Sequence, residues 1–267
     1  MSELPVTLTI AGSDSGGGAG IQADLKTFQA FGCFGTSALT AITAQNTRGV
    51  SGVQGLDPDI VAGQIRAVLE DFPVGAAKTG MLFSVEIIQA VRSALENSRV
   101  PVVVDPVMVA TSGDRLLQAE AERALIDFLS EATVITPNLP EAGVILGREL
   151  RSLADMREGA RELHERTGAA VLLKGGHRLQ DSEQTGQAID VFYDVDGRLF
   201  EEARPVLDAR NTHGTGCTLS AAIAAGLAHG RSLRDAVREA RDYLHGAIEH
   251  APNLGSGSGP LNHMWRG

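Results

Sequence analysis

The chain has 267 residues, is 43% hydrophobic and 21% charged, and carries a formal net charge of −10. That apolar share is enough for a large core and excludes a disordered chain, and the negative charge excludes non-specific binding to nucleic acid or anionic membrane, which it would repel. Its two cysteines, Cys33 and Cys217, form no C-x-x-C pair and no Cys/His cluster, which excludes a disulfide framework and a structural zinc site.

In chain order, short apolar runs alternate with helical patterns. "VTLTIAG" (6–12) reads as a strand and "AGIQADLKTFQAFG" (19–32) as a helix; "PVVVDPV" (101–107) and "ATVITPN" (132–138) are strands on either side of a periodic segment near 115–130. A helix follows at 152–168, then a strand at 169–176. This alternation predicts an α/β fold with a mainly parallel sheet and helices on both faces. From 188 to 206 the pattern changes to a hairpin, with Asp196-Gly197 expected to supply two positive-φ positions, forming an antiparallel edge. Two helices close the pattern, at 216–229 and 232–250.

No linker or repeat divides the chain, so one domain over 1–267 is expected, with a loosely structured tail from about 252 to 267. No apolar stretch reaches the roughly 18 residues of a membrane span, and "MSELPVTLTIAG" has no basic segment before an apolar run of signal length. A cytoplasmic protein is the expectation.

Ligands of an open parallel sheet bind at the carboxyl ends of the strands. At the first such end, "GSDSGGGAG" (12–20) lets main-chain amides approach a ligand, although it fits neither common phosphate-loop spacing; it is either a ligand site or a flexible connection. "HGTGC" (213–217) leads into a helix, so Gly214, Thr215 and Gly216 either direct unpaired amides and the positive helix end at one point, suited to a negative charge in transfer, or form only a tight entry to the helix. Cys217 is either a small core residue or a thiol whose pKa the helix start lowers, and His213 nearby would then allow a Cys–His hydrolase.

Other strand ends carry further candidates. Asp105 is placed for a metal ion or an ordinary Asp-Pro turn, and Asn138 and Glu141 have the spacing of a helix cap, while the Glu141 carboxylate would also serve Mg²⁺. Lys174 precedes Gly175-Gly176 and is either in reach of a polyphosphate or a solvated surface charge, and Lys78 carries the same two readings. Gln45 ends an apolar run and its amide both donates and accepts, which matches an amino group beside a ring nitrogen. Met81 and Val107 are suited either to the faces of a flat ring or to core packing.

Together, "AGSDSGGGAGIQADLKTF", "TAQNTRGV", "KTGML", "VVDPVM", "TPNLPEA", "LLKGGH" and "NTHGTGCTLSAAIA" resemble the hydroxymethylpyrimidine/phosphomethylpyrimidine kinases of thiamine biosynthesis, in the ribokinase superfamily, from about residue 6 to 250. The resemblance implies a ribokinase-like α/β fold, a homodimer, and transfer of the ATP γ-phosphoryl, with Mg²⁺, to 4-amino-5-hydroxymethyl-2-methylpyrimidine and then to its monophosphate. It implies a pocket of Gly12, Ala19, Gln45, Met81 and Val107, acids Asp105 and Glu141 in the Mg²⁺ and phosphate region, and Asn138 and Lys174 along ATP. Gly214, Thr215 and Gly216 match the anion hole, and Cys217 stands where many sugar kinases of the superfamily have an aspartate base. A pyridoxal kinase and a silent pyrimidine-binding protein are the competing expectations.

Overall fold

The computed structural model describes residues 4–109, 113–114, 116–176, 186–207 and 211–267. Its centre is a nine-stranded sheet in the order β3-β2-β1-β4-β5-β6-β7-β8-β9. The inner strands are β1 (Val6–Asp14), β2 (Phe34–Asn46), β4 (Val74–Thr79), β5 (Val102–Val104), β6 (Val134–Ile135) and β7 (Ala170–Lys174). All of these pair in parallel. β8 (Gln187–Tyr193) and β9 (Leu199–Pro205) add the expected antiparallel hairpin.

The opposite edge was not anticipated. β3 (Gly49–Gly55) pairs antiparallel with β2, so both edges are hairpins. β3 reads "GVSGVQG" and is largely exposed; three glycines and no buried face leave a strand without the alternation that announces one. A smaller difference lies in the β8–β9 turn, where Gly197 has φ 78° but Asp196 is not left-handed. Gly197 N–H donates to the Asp194 carbonyl, and the Asp194 side chain accepts from the amides of Asp196 and Arg198. A three-residue turn of this kind needs only one positive-φ position, which glycine takes.

Alternation along the buried strands directs successive residues to opposite faces. Val102 and Val104 join one core, with α2 (Pro58–Asp71), α3 (Val85–Leu95), α4 (Ala121–Phe128), α5 (Leu139–Leu146) and α6 (Leu153–Thr167). Val103 joins the other, with α1 (Gly20–Ala30), α7 (Thr215–Ala228) and α8 (Leu233–Glu249). The periodic segment near 115–130 holds α4, which begins at Ala121, and the start of a 3-10 turn, Leu129–Glu131; residue 115 lies outside the described residues. α7 is buried continuously from Thr218 to Gly226. Its small side chains let α8 close in, and a Cβ on Gly226 would lie 2.8 Å from that of Ala236.

The C-terminal tail is not loose. Leu261 and His263 are buried, Asn262 N–H donates to the Ala247 carbonyl, and Trp265 Nε1 donates to the Tyr243 carbonyl at 3.1 Å. Its Gly/Ser-rich first half resembles a linker, yet Gly257 and Gly259 are pressed against Thr47 and Asn211, where a Cβ would collide. Those glycines permit close approach rather than freedom.

Candidate functional site

The candidate residues lie at the carboxyl ends of β1, β2, β4, β5, β6 and β7 and at the start of α7. β1 ends in Asp14, whose Oδ1 accepts the amide of Gly16 at 2.7 Å and whose Oδ2 accepts those of Gly18 at 3.0 Å and Ala19 at 2.8 Å. The glycine loop is thus wound around one buried carboxylate and is not a flexible connection. Burial works against the charge, but the bond from His213 and the loop amides prevail and hold Asp14 below the usual carboxylate range.

Gly12 and Met81 are brought together, since a Cβ on Gly12 would sit 3.0 Å from the Met81 sulfur. Ala19 caps α1, and the next residue, Gly20, is pressed against the Gly12 carbonyl. Gln45 reaches the loop from β2: its amide N–H donates to Ser15 Oγ at 2.8 Å, and its side-chain Nε2 lies 3.5 Å from His213 Nε2. A cavity of about 180 Å³ opens here, bordered by Gln45, Arg48, His213 and Ser258 among others. Val107 is half-buried and set by Asp105, whose carbonyl accepts its N–H; no hydrogen bond ties it to the other pocket residues.

Asp105, 2% exposed, follows β5. Its Oδ1 accepts from Lys174 Nζ at 2.9 Å and from Thr136 Oγ1 at 3.0 Å. Asn138 and Glu141 form the reciprocal cap of α5 expected from their spacing. Glu141 is also buried near Asp105, so desolvation pushes its carboxyl up to about 7, with Lys174 opposing. Burial weighs against the Lys174 ammonium too, but Asp105 and Glu141 outweigh it and keep the lysine charged. The two acids and one lysine therefore form a compact charged corner. Among the described residues no group of three or more metal-ligating side chains is assembled.

Gly214 caps α7 with φ 84° and no side-chain cap is present. The first amide to bond back into the helix is that of Thr218, to the Gly214 carbonyl. The amides of Gly216 and Cys217 ahead of it are left to face a ligand. Gly216 lies over the charged corner: a Cβ there would be 3.1 Å from Asp105 Oδ2 and 3.4 Å from Lys174 Nζ.

Cys217 departs from expectation. Burial pushes its thiol up to about 11, with Lys78 working the other way and Asp24 and Asp105 adding to the rise. The helix start is one local influence, and desolvation among carboxylates is stronger. His213 does not serve the thiol; its Nε2 is bonded to Asp14 Oδ2 at 2.8 Å. The Cys–His hydrolase arrangement is therefore absent.

Beneath the sulfur lies an ion pair of which the sequence singled out only one member. Lys78 Nζ donates to Asp24 at 2.9 and 3.0 Å, and both side chains are fully buried. Asp24 keeps the ammonium charged against desolvation. Asp14 and Asp24 were missed because each sits in a run that reads as a loop or a helix face, and nothing local marks a partner 199 or 54 residues away.

Residues 14–262 match the family model described as phosphomethylpyrimidine kinase. A hydroxymethylpyrimidine/phosphomethylpyrimidine kinase of Rhizobium meliloti is 52% identical over 98% of this chain and 97% of its own length. Among solved structures, the phosphomethylpyrimidine kinase of Clostridium difficile has TM-score 0.78 and 44% identity, covering 91% of this chain and 99% of that one. A pyridoxal kinase of Staphylococcus aureus, solved with AMP-PCP and pyridoxal, has TM-score 0.87 and 37% identity, covering 98% and 94%.

Proposed function

The chain belongs to the phosphomethylpyrimidine kinase family, with the pyridoxal kinase/ribokinase-like fold, and from this premise we propose how its residues divide the work of phosphorylating hydroxymethylpyrimidine and phosphomethylpyrimidine in thiamine biosynthesis. Gln45 reads the aminopyrimidine edge through its donating and accepting amide, and Gly12, Ala19, Met81 and Val107 enclose the ring. Asn138 and Lys174 line ATP, the lysine supplying a fixed charge to the phosphates. The turn of Gly214, Thr215 and Gly216 presents the amides of Gly216 and Cys217 to the phosphoryl group in transfer, where preorganised donors act on charge spread over its oxygens.

Cys217 takes the acceptor hydroxyl's proton in its thiolate form. Lys78 favours that form and burial opposes it, so the active fraction grows with pH. Proton removal is late in a loose phosphoryl transfer, which lowers the demand on the base.

Asp105 and Glu141 fit Mg²⁺ as a pair: burial beside Asp105 raises the Glu141 carboxyl, a state a dication would relieve, and Mg²⁺ needs only one or two protein carboxylates beside the phosphates. Bound there, the ion would neutralise phosphate charge. The same reading makes the whole chain one kinase domain acting as a cytoplasmic homodimer. No helix among the described residues is long and apolar enough to cross a membrane, and light scattering tests the dimer.

The observation that carries the reading is the uncapped amide start of α7 lying over the Asp105–Lys174 pair. Incubation with Mg-ATP and 4-amino-5-hydroxymethyl-2-methylpyrimidine is expected to yield the mono- and diphosphate; absence of both at saturation refutes the substrate reading. The similarity to a pyridoxal kinase at TM-score 0.87 supports a second reading, phosphorylation of pyridoxal in the same pocket. A larger kcat/KM for pyridoxal than for the pyrimidine would favour it.

A further inference from the structure

Asp14 lies outside the roles just assigned, yet its carboxylate joins two loops that the transfer needs at a fixed separation. It is 2% exposed. It accepts three amides of the glycine loop, from Gly16, Gly18 and Ala19, and the Nε2 of His213, the residue before Gly214. The loops meet without a gap. A Cβ on Gly18 would lie 2.5 Å from His213 Cδ2, and one on Gly214 would lie 1.9 Å from the Gly18 carbonyl oxygen.

Two contacts extend this junction. Gly20, next after Ala19, opens α1 as a neighbour of the Cys217 thiol, whose pKa its backbone helps to lower. On its other side, His213 N–H donates to the Gly259 carbonyl at 3.2 Å. The docked tail thus holds the His213 backbone while Asp14 holds its imidazole.

We infer that Asp14, acting through His213, is a positioning residue for phosphoryl transfer, setting the substrate-side glycine loop against the phosphate-holding start of α7. The inference rests on the reading of residues 214–217 as the transfer site. The carboxylate offers only acceptors, which suits four converging donors; an amide in its place would turn a donor toward them. A glutamine at 213 reaches out with an N–H as the imidazole does, whereas a leucine cannot.

The test uses the full-length enzyme with Mg-ATP and the pyrimidine. His213→Leu is expected to lower kcat by about tenfold or more, since a displacement of about 1 Å costs up to roughly 100-fold. The Kd of AMP-PCP is expected to stay within about twofold, as for a loss confined to the transition state. His213→Gln recovers most of kcat, and also serves if the leucine variant fails to fold. Asp14→Asn combined with His213→Leu is no slower than Asp14→Asn alone, because one linkage is broken in both. Unchanged kcat in His213→Leu, a matching loss of AMP-PCP affinity, no recovery by glutamine, or additive losses would each overturn the inference. Cys217→Ala separates the two levels: if it retains turnover, the reading of the helix start fails; if it loses turnover while His213→Leu does not, only the positioning role fails.

Discussion

Lys174 Nζ meets Oδ1 of Asp105 at 2.9 Å, and the other oxygen of that carboxylate faces Gly216 at the start of α7. Strands β5 and β7 thereby deliver one cation and one anion to the point where α7 begins. Lys174→Met removes the fixed charge while keeping much of the side chain's length. Loss of a single preorganised charge donor costs roughly 100- to 1,000-fold in kcat, and kcat/KM for ATP is expected to fall by at least that scale in steady-state assays. Wild-type kinetics in a folded variant would remove Lys174 from the phosphate site.

The Lys78–Asp24 pair is fully buried, and Thr9 Oγ1 completes it with a 2.6 Å bond to Asp24. Lys78→Met leaves an uncompensated carboxylate in the interior and is expected to destabilise the protein by about 3–5 kcal/mol in urea unfolding. Adding Asp24→Leu should restore much of that loss, because two apolar groups can replace a buried pair. A single variant as stable as the parent would show that the pair contributes little.

A thiolate base at Cys217 would make the rate depend on pH in a definite direction. With the thiol pushed up to about 11, a thiolate base implies kcat rising about tenfold per pH unit from neutrality upward. Cys217→Asp, ionised throughout that range, should flatten the profile, and Cys217→Ala should lower kcat by about 100-fold. A flat wild-type profile between about pH 7 and 9 argues against proton transfer to sulfur.

His263 links acid stability to tail docking. Its Nε2 meets Thr218 Oγ1 at 2.9 Å, and burial, aided by Lys26, depresses its pKa from 6.5 to about 4. Between those values the unfolded chain binds the extra proton, so the stability contribution is complete above 6.5 and is lost as pH falls toward 4. The full loss is on the order of 3 kcal/mol. Urea unfolding at about pH 7.5 and about pH 5, followed by fluorescence of Trp265, should show a larger drop for the parent than for His263→Gln. Equal drops would place the acid sensitivity elsewhere.

Much of the scaffold is legible from the chain alone. The run "PVVVDPV" marks a strand and its end, the Asn138/Glu141 spacing marks the α5 cap, and the glycines at 214 and 216 mark a helix start without a side-chain cap. Each is a local signal, carried by residues within one turn or one strand. The exposed, glycine-rich β3 has no such signal, and the tail's Gly-Ser run carries a misleading one. Its glycines serve close packing against Thr47 and Asn211, a use that no nearby residue discloses.

By itself the sequence determined the α/β class with its mainly parallel sheet, the loops at the sheet's carboxyl edge and the family to which they belong, because hydrophobic period, capping spacing and glycine placement act over short stretches. Only tertiary structure decided that Asp14 grips His213, that Lys78 is neutralised by Asp24, and that the Cys217 thiol is pushed up and not down. Desolvation and charge pairing depend on what surrounds a group in space, and those neighbours come from distant parts of the chain.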